Sequence, residues 1–269
     1  MSGSPSGQVV EKWLGDKKVR LLVKDENEYL QRYWARGDIY EYDLYGSDLM
    51  RRAAGWLFDK VSHRVKRVRR QGMLSYIQDN YRGGTFVDVG SCIGNHTLFF
   101  AVGCQASLVL SFEPVPELNR HQRELLDLNG LTNVKLFQCA LGDEPGRLRI
   151  TKSDFSKNAG MSQFDPVDAP ARNGQRGEEV LVRTLDDVCA EENVTSVKVI
   201  KIDVEGFNVP FLRGATKTIE KHRPDVFVEC ETAQALADVD SYLATLGYVR
   251  HEELVFNLTP TYLFQPRRS

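Results

Sequence analysis

From Thr85 onward, short apolar runs alternate with amphipathic stretches. Thr85–Val89, Leu108–Phe112, Val134–Gln138, Val197–Ile202 and Asp225–Val228 are apolar runs of strand length, so the pattern predicts five buried strands. Between them, Asn95–Val102, Pro116–Leu128, Val209–Lys221 and Ala233–Leu246 read as helices. Pro116 opens one of these and Gly130 follows its end, the usual placement of each residue. Strand–helix repeats predict a parallel sheet covered on both faces, a doubly wound α/β fold. Two last runs, Leu254–Leu258 and Thr261–Phe264, are separated only by Thr259 and Pro260. They predict an antiparallel hairpin at the end of the sheet.

The first third of the chain is less regular. Residues 49–81 read as helix interrupted at Gly72, with Leu57, Val61, Val65 and Val68 on one face. Gly83 and Gly84 end it. Residues 9–48 carry Trp13, Tyr29, Tyr33, Trp34, Tyr40, Tyr42 and Tyr45, which argues for order without showing which element. The division expected is a mainly helical N-terminal extension, 1–82, and a catalytic domain, 83–269. Inside the latter, the insertion 143–184 holds two short strands, Arg147–Ile150 and Val180–Arg183. Between them 153–179 is rich in Ser, Asn, Asp, Gly and Pro, as expected of a lid over an acceptor site.

Composition narrows the function. The 269 residues, 42% hydrophobic and 27% charged, suffice for one large core. A net charge of -2 advertises neither nucleic acid nor an anionic membrane as partner of the whole molecule. Residues 51–82 depart from that balance, with nine basic residues against two acidic ones. The plain reading is a solvated helix face. The sharper readings are an anionic acceptor or, more weakly, RNA, for which no stacking platform is visible. No apolar run approaches the roughly 20 residues of a membrane span. The five cysteines are scattered, with no C-x-x-C. A reducing, cytoplasmic setting is expected. Oligomeric state is left open, a homodimer among the options.

Four segments carry chemistry. Asp88-Val-Gly90-Ser91-Cys92-Ile93-Gly94-Asn95 closes the first strand and opens the first helix. Glycine there lets backbone approach a ligand, and the helix N-terminus faces it. The spacing is G-x-x-x-G rather than the dinucleotide G-x-G-x-x-G. Asp88 would repel a pyrophosphate and suits a cationic sulfonium or ammonium instead. Glu113 lies 25 residues later at the end of the second strand, placed to accept ribose hydroxyl protons. Gln138 to Asp143 follows the third strand and can wall an adenine ring. In Val199–Gly206, Asp203 and Glu205 stand at the end of a central strand, where open α/β sheets place ligands. Either can serve as a base, and Lys201 or Arg213 can instead pair them as a structural ion cluster. Glu229 ends the fifth strand in the same way. No H-x-x-x-H or tight acid cluster specifies a metal.

The stretch from about Gly84 to Glu229 resembles the FkbM-type methyltransferases. The matching pieces are Asp88 to His96, Phe112-Glu113-Pro114, Ala140-Leu141-Gly142, Thr184-Leu185-Asp186, Lys201 to Gly206, and Leu212-x-Gly214-Ala215. The resemblance implies a class I, Rossmann-like methyltransferase fold with S-adenosyl-L-methionine as cofactor. It implies methylation of a hydroxyl on a sugar, glycan or secondary metabolite. Carried over, the turn residues Asp88, Gly90, Ser91, Gly94, Asn95 and His96 would hold the methionine end, Glu113 the ribose, and Ala140 the adenine. Asp203 is the first choice of base, Glu205 the second and His96 a weaker third. The plainer alternative has Asp203 contacting the cofactor's amino group. The family commonly has Ala-Asn at Ser91-Cys92 and an acid at Asn208, which removes one carboxylate near the crevice.

Overall fold

The computed structural model describes residues 7–14, 16–26, 28–36, 38–39, 72–151, 163–166, 177–204, 206–257 and 259–267. The first elements among the described residues are an antiparallel hairpin, β1 (Gln8–Leu14) and β2 (Lys17–Val23), and helix α1 (Tyr29–Ala35). After α2 (Met73–Asn80) come β3 (Thr85–Val89), α3 (Asn95–Val102), β4 (Leu108–Phe112), α4 (Pro116–Leu128) and β5 (Val134–Phe137). A small second sheet follows: β6 (Ala140–Leu141), β7 (Gly146–Thr151), β8 (Gln163–Pro166) and β9 (Glu178–Arg183). Helix α5 (Leu185–Glu191) leads to β10 (Val199–Ile202), and helices α6 (Asn208–Arg213) and α7 (Thr216–His222) lead to β11 (Asp225–Glu229). Helix α8 (Ala233–Thr245) and strands β12 (Tyr248–Phe256) and β13 (Thr261–Pro266) complete the described chain.

The main sheet runs β12-β13-β11-β10-β3-β4-β5. Strands β11, β10, β3, β4 and β5 are parallel, and β13 pairs antiparallel with β11 and with β12. Alternation along each strand sends side chains to opposite faces. Phe86, Val109, Val199 and Phe227 enter one core with Leu98, Phe99 and Leu125. Val87, Val89, Leu110, Ile200 and Val226 enter the other with Phe211, Leu212 and Leu243. Strand order reverses between β3 and β10, so the carboxyl ends of those two strands form the switch point at which open α/β sheets bind ligands.

The described part of the N-terminal region holds the β1–β2 hairpin, an element that the sequence pattern did not indicate, together with helices α1 and α2. In β2, Val19 and Leu21 are buried while Lys18 and Arg20 are exposed, a period-two signal masked by the neighbouring aromatics. Val19, Leu21, Leu22 and Trp34 share a core with Phe86 and Leu98. Residues 49–71, with the predicted stripe and most of the basic stretch, lie outside the described residues. Most of 153–179 does too, although β8 and the start of β9 fall within it. The predicted helix Val209–Lys221 divides at Gly214. A Cβ at Gly214 would sit 1.9 Å from the Gly142 carbonyl oxygen, so this long-range approach requires glycine.

His121 of α4 fastens the hairpin: its Nε2 donates to the Leu22 carbonyl at 2.9 Å. Asn129 adds a bond to Arg20 N and another to Arg20 O, both 2.7 Å. Burial, reinforced by the Lys24 charge, pushes the His121 imidazole down from 6.5 to about 4. The unfolded chain therefore takes up this proton first. Stability from this residue is full above pH 6.5 and lost as pH falls toward 4, by about 3 kcal/mol. In urea titrations between pH 7 and 4, His121→Asn should lack this part of the decline. A variant that declines in parallel with the wild type would contradict the assignment.

Candidate active site

The turn after β3 is shaped by exclusion. Gly90 has φ +75°, and a Cβ there would lie 2.0 Å from the Asp203 carbonyl oxygen. Gly94 has φ +94°, and a Cβ there would meet Gln122 at 2.8 Å. Both positions combine a left-handed backbone with a close neighbour, so only glycine fits. The amides of Gly90 and Ser91 donate to the Phe112 carbonyl at 3.1 and 3.0 Å, tying the turn to the end of β4. Cys92 takes φ +51°, a region asparagine tolerates better, so the departure from Ala-Asn carries a backbone cost.

A buried polar chain lies under this turn. Ser91 Oγ donates to Gln122 Oε1 at 2.9 Å, and Gln122 Nε2 donates to Ser111 Oγ at 2.7 Å. Thr97 Oγ1 donates to Asp88 Oδ2 at 2.6 Å. Its one proton is thereby committed, so Ser111 is the donor in the 2.8 Å contact with Thr97. Asp88 is fully buried and its Oδ1 accepts no hydrogen bond. That oxygen instead faces Lys201 Nζ at 3.4 Å. The same ammonium lies 3.2 Å from Asp203 Oδ2 and donates to the Gly90 carbonyl at 3.3 Å. Lys201 and Asp88 are buried, while the Asp203 side chain is 36% exposed. Asp203 is thus the member of the cluster that reaches the crevice.

Glu113 is buried at the end of β4. Its Oε2 accepts from Cys92 N at 2.9 Å and its Oε1 from Val115 N at 2.8 Å. Each oxygen keeps a second lone pair for a ligand hydroxyl. Burial raises the carboxyl from 4.5 to about 8, against the lowering effect of the two amides and Lys201. The folded chain therefore holds this proton more tightly than the unfolded chain. Stability falls as pH rises from about 4.5 and levels off above about 8, by about 5 kcal/mol at most. Glu113→Gln should remove that slope from urea midpoints measured between pH 5 and 8. An unchanged slope would place the titration elsewhere.

The other sequence candidates are placed as follows. Ser91 points into the polar chain, and its Oγ also lies 3.2 Å from the Phe112 carbonyl. Asn95 opens α3, and its Oδ1 accepts from Trp34 Nε1 at 3.1 Å. His96 follows on α3 with its ring stacked on Phe100. Ala140 is buried at the start of β6, paired with Val182 of the second sheet. Glu205 lies outside the described residues. Asn208 Nδ2 donates to the Glu229 carbonyl at 3.0 Å, joining the ends of the β10–α6 and β11 segments. Of the two cations weighed for the acids, Lys201 is the one at Asp203. Among the described residues, no group of three His, Cys, Asp or Glu is arranged to hold a metal ion.

Three contributions escaped sequence reading. Gln122 and Ser111 support the turn from β4 and α4, with no local signal. Trp34 reaches Asn95 from the N-terminal region, so that region forms part of the site's frame. Glu28, the buried N-cap of α1, acts electrostatically on Cys92 together with Glu113 and Asp203. A cationic, ribose-bearing ligand fits these features. Asp88, Lys201 and Asp203 together carry one formal net negative charge, and Glu113 offers acceptors beside a turn whose two glycines, Gly90 and Gly94, leave the backbone open.

The reversal between β3 and β10, with antiparallel β13 inserted beside β11, defines a class I methyltransferase fold. The methyltransferase FkbM domain matches residues 88–250, more than half of the chain. The chain belongs to that family and is a methyltransferase. "Methyltransferase 1" of Beauveria bassiana is 29% identical over 176 residues, covering 60% of this chain and 71% of its own. "2-O-methyltransferase NoeI" of Sinorhizobium fredii is 26% identical over 153 residues, covering 51% and 59%. A crystal structure of an FkbM methyltransferase from Methylobacillus flagellatus KT aligns with TM-score 0.48 and 18% identity, over 68% of this chain and 43% of that one.

Proposed function

We propose that the chain is an S-adenosylmethionine-dependent O-methyltransferase acting on a hydroxyl of a sugar, glycan or secondary metabolite. The observation that carries this reading is the half-open Asp203 carboxylate, held beside the glycine turn by a buried ammonium. Family membership supports the cofactor. The name of the Sinorhizobium relative supports oxygen as the target atom. A cytoplasmic setting is part of the proposal, and the five free cysteines, four of them buried, are compatible with it. Among the described residues no helix is long and apolar enough to cross a membrane.

When bound, S-adenosylmethionine supplies an electrophilic methyl group on a sulfonium. The turn from Gly90 to Asn95 would hold its methionine end and Glu113 its ribose hydroxyls. Asp88 is sealed below the turn and acts through Lys201 and Thr97 rather than by touch. Alignment of the acceptor oxygen is the larger share of the work. Asp203 accepts the proton that the acceptor hydroxyl loses, through the carboxylate left beside Lys201. An anionic acceptor, such as a phosphorylated sugar, is the sharper reading of the basic stretch within 51–82, the plain one being a solvated face.

The test is a screen of neutral and phosphorylated glycosides with methyl-labelled cofactor, the product bond being read by NMR. A methyl ether is expected, formed faster on the phosphorylated glycosides. Label found only on nitrogen, on carbon or on RNA would overturn the reading.

A further inference from the structure

We propose that Lys201 is the positioning residue of this site: its ammonium fixes the Asp203 carboxylate and the Gly90 turn in one frame. The inference rests on the reading of Asp203 as the group that faces the acceptor. Lys201 lies on β10 directly opposite Asp88 of β3 in the parallel ladder. Asp203 follows two residues later, on the same face of the extended chain. The side chains of Lys201, Asp88 and Asp203 therefore converge at the switch point from two neighbouring strands, β10 and β3.

Charge and donor capacity make the arrangement directional. Asp88 Oδ2 is taken by Thr97, at the end of the chain running from Ser91. Its Oδ1 has no hydrogen-bond donor and faces the ammonium. An ammonium carries three donors, and Asp88, Asp203 and the Gly90 carbonyl lie within 3.4 Å of it. Asp88 is thus the buried counter-charge that anchors Lys201, and Lys201 transmits that anchorage to the exposed Asp203. Cofactor turn and base are held by one cation, so neither moves independently. Asp203 acts electrostatically on Cys92, as do Glu113 and Glu28.

Removal of Lys201 alone strands a buried carboxylate and can prevent folding. The paired variant Asp88→Asn/Lys201→Met removes both buried charges together. With 13C-labelled aspartate in the full chain, the Asp203 carboxyl signal is assigned by its loss in Asp203→Asn, and its shift and linewidth are compared between wild type and variant at one pH. In the paired variant, its fold checked by circular dichroism, that signal should move and broaden as the carboxylate loses the ammonium that fixes it. Affinity for S-adenosylmethionine should fall about tenfold, because the Gly90 turn loses its hydrogen bond to the same charged group. A signal unchanged in shift and width in a folded paired variant overturns the proposal, and so does an unchanged affinity. The reading of Asp203 as base is tested separately, by turnover of Asp203→Asn. Full turnover there with a moved signal in the paired variant removes the base and leaves the positioning. Lost turnover with an unmoved signal does the reverse.

Discussion

Asp203→Asn is expected to lower turnover roughly a hundredfold or more while S-adenosylmethionine affinity stays nearly constant, since a positioned base contributes about 10²- to 10⁴-fold. The substitution keeps size and shape and removes the proton acceptor. The side chain is the exposed end of a cluster whose other members, Asp88 and Lys201, are sealed. The main chain at this position is independently fixed, because Asp203 N donates to the Val89 carbonyl at 3.0 Å. The amide side chain still accepts from Lys201, so the glycine turn keeps its frame. Steady-state kinetics with the acceptor found in the glycoside screen, together with calorimetry, separates the alternatives. A parallel loss of binding and turnover would make Asp203 a cofactor ligand, as the plainer alternative holds.

Glu113→Ala is expected to weaken S-adenosylmethionine binding by about 2 to 4 kcal/mol, the loss of two ribose hydrogen bonds to a charged acceptor. The loss should depend on pH. Ribose hydroxyls bind the ionised carboxylate, whereas burial keeps the free carboxyl protonated up to about pH 8. Wild-type affinity should therefore rise with pH and level off above about 8, and binding at pH 7 should release close to one proton. At pH 6 the deprotonation cost, about 1.4 kcal/mol per unit, offsets most of the gain, so wild type and variant converge. Calorimetry in buffers of different ionisation enthalpy reads both effects. Equal affinities at pH 8, or binding without proton release, would remove Glu113 from the ribose.

How much of this was legible in the sequence follows from the range of the forces involved. The spans Thr85–Val89, Asn95–Val102, Leu108–Phe112 and Pro116–Leu128 coincide with the observed elements. Each is delimited by local signals: apolar runs, Pro at a helix start, Gly after its end. Of the elements missed, α5 carries a local signal that the apolar pattern does not show, its N-cap, and the others are set at long range. Helix α5 is capped by Thr184, whose Oγ1 accepts from Asp187 N. Its Asp186 in turn accepts from Lys217 N and Thr218 N at 3.0 and 2.7 Å, capping α7. That junction divides one predicted helix into two. The hairpin β1–β2 is held by His121 and Asn129, about a hundred residues away.

The site divides in the same way. Glycine spacing pointed to Gly90 and Gly94, and strand ends pointed to Glu113 and Asp203. Nothing local shows that Asp88 is sealed beneath the turn, since that depends on the register of β3 against β10. Nor does any local pattern mark Gln122, whose amide links Ser91 to Ser111 across two elements. The pairing of Lys201 with Asp203 was visible as an i, i+2 relation, and register shows that Asp88 completes it.

The turn from Gly90 to Asn95, with Glu113, is expected to bind the methionine-bearing nucleoside and not a dinucleotide. Calorimetric titration of the wild-type chain at pH 8 with S-adenosylmethionine and with NADH separates the two. One S-adenosylmethionine should bind per chain, with no heat from NADH. Saturable NADH binding, or none by S-adenosylmethionine in a folded chain, would contradict this placement.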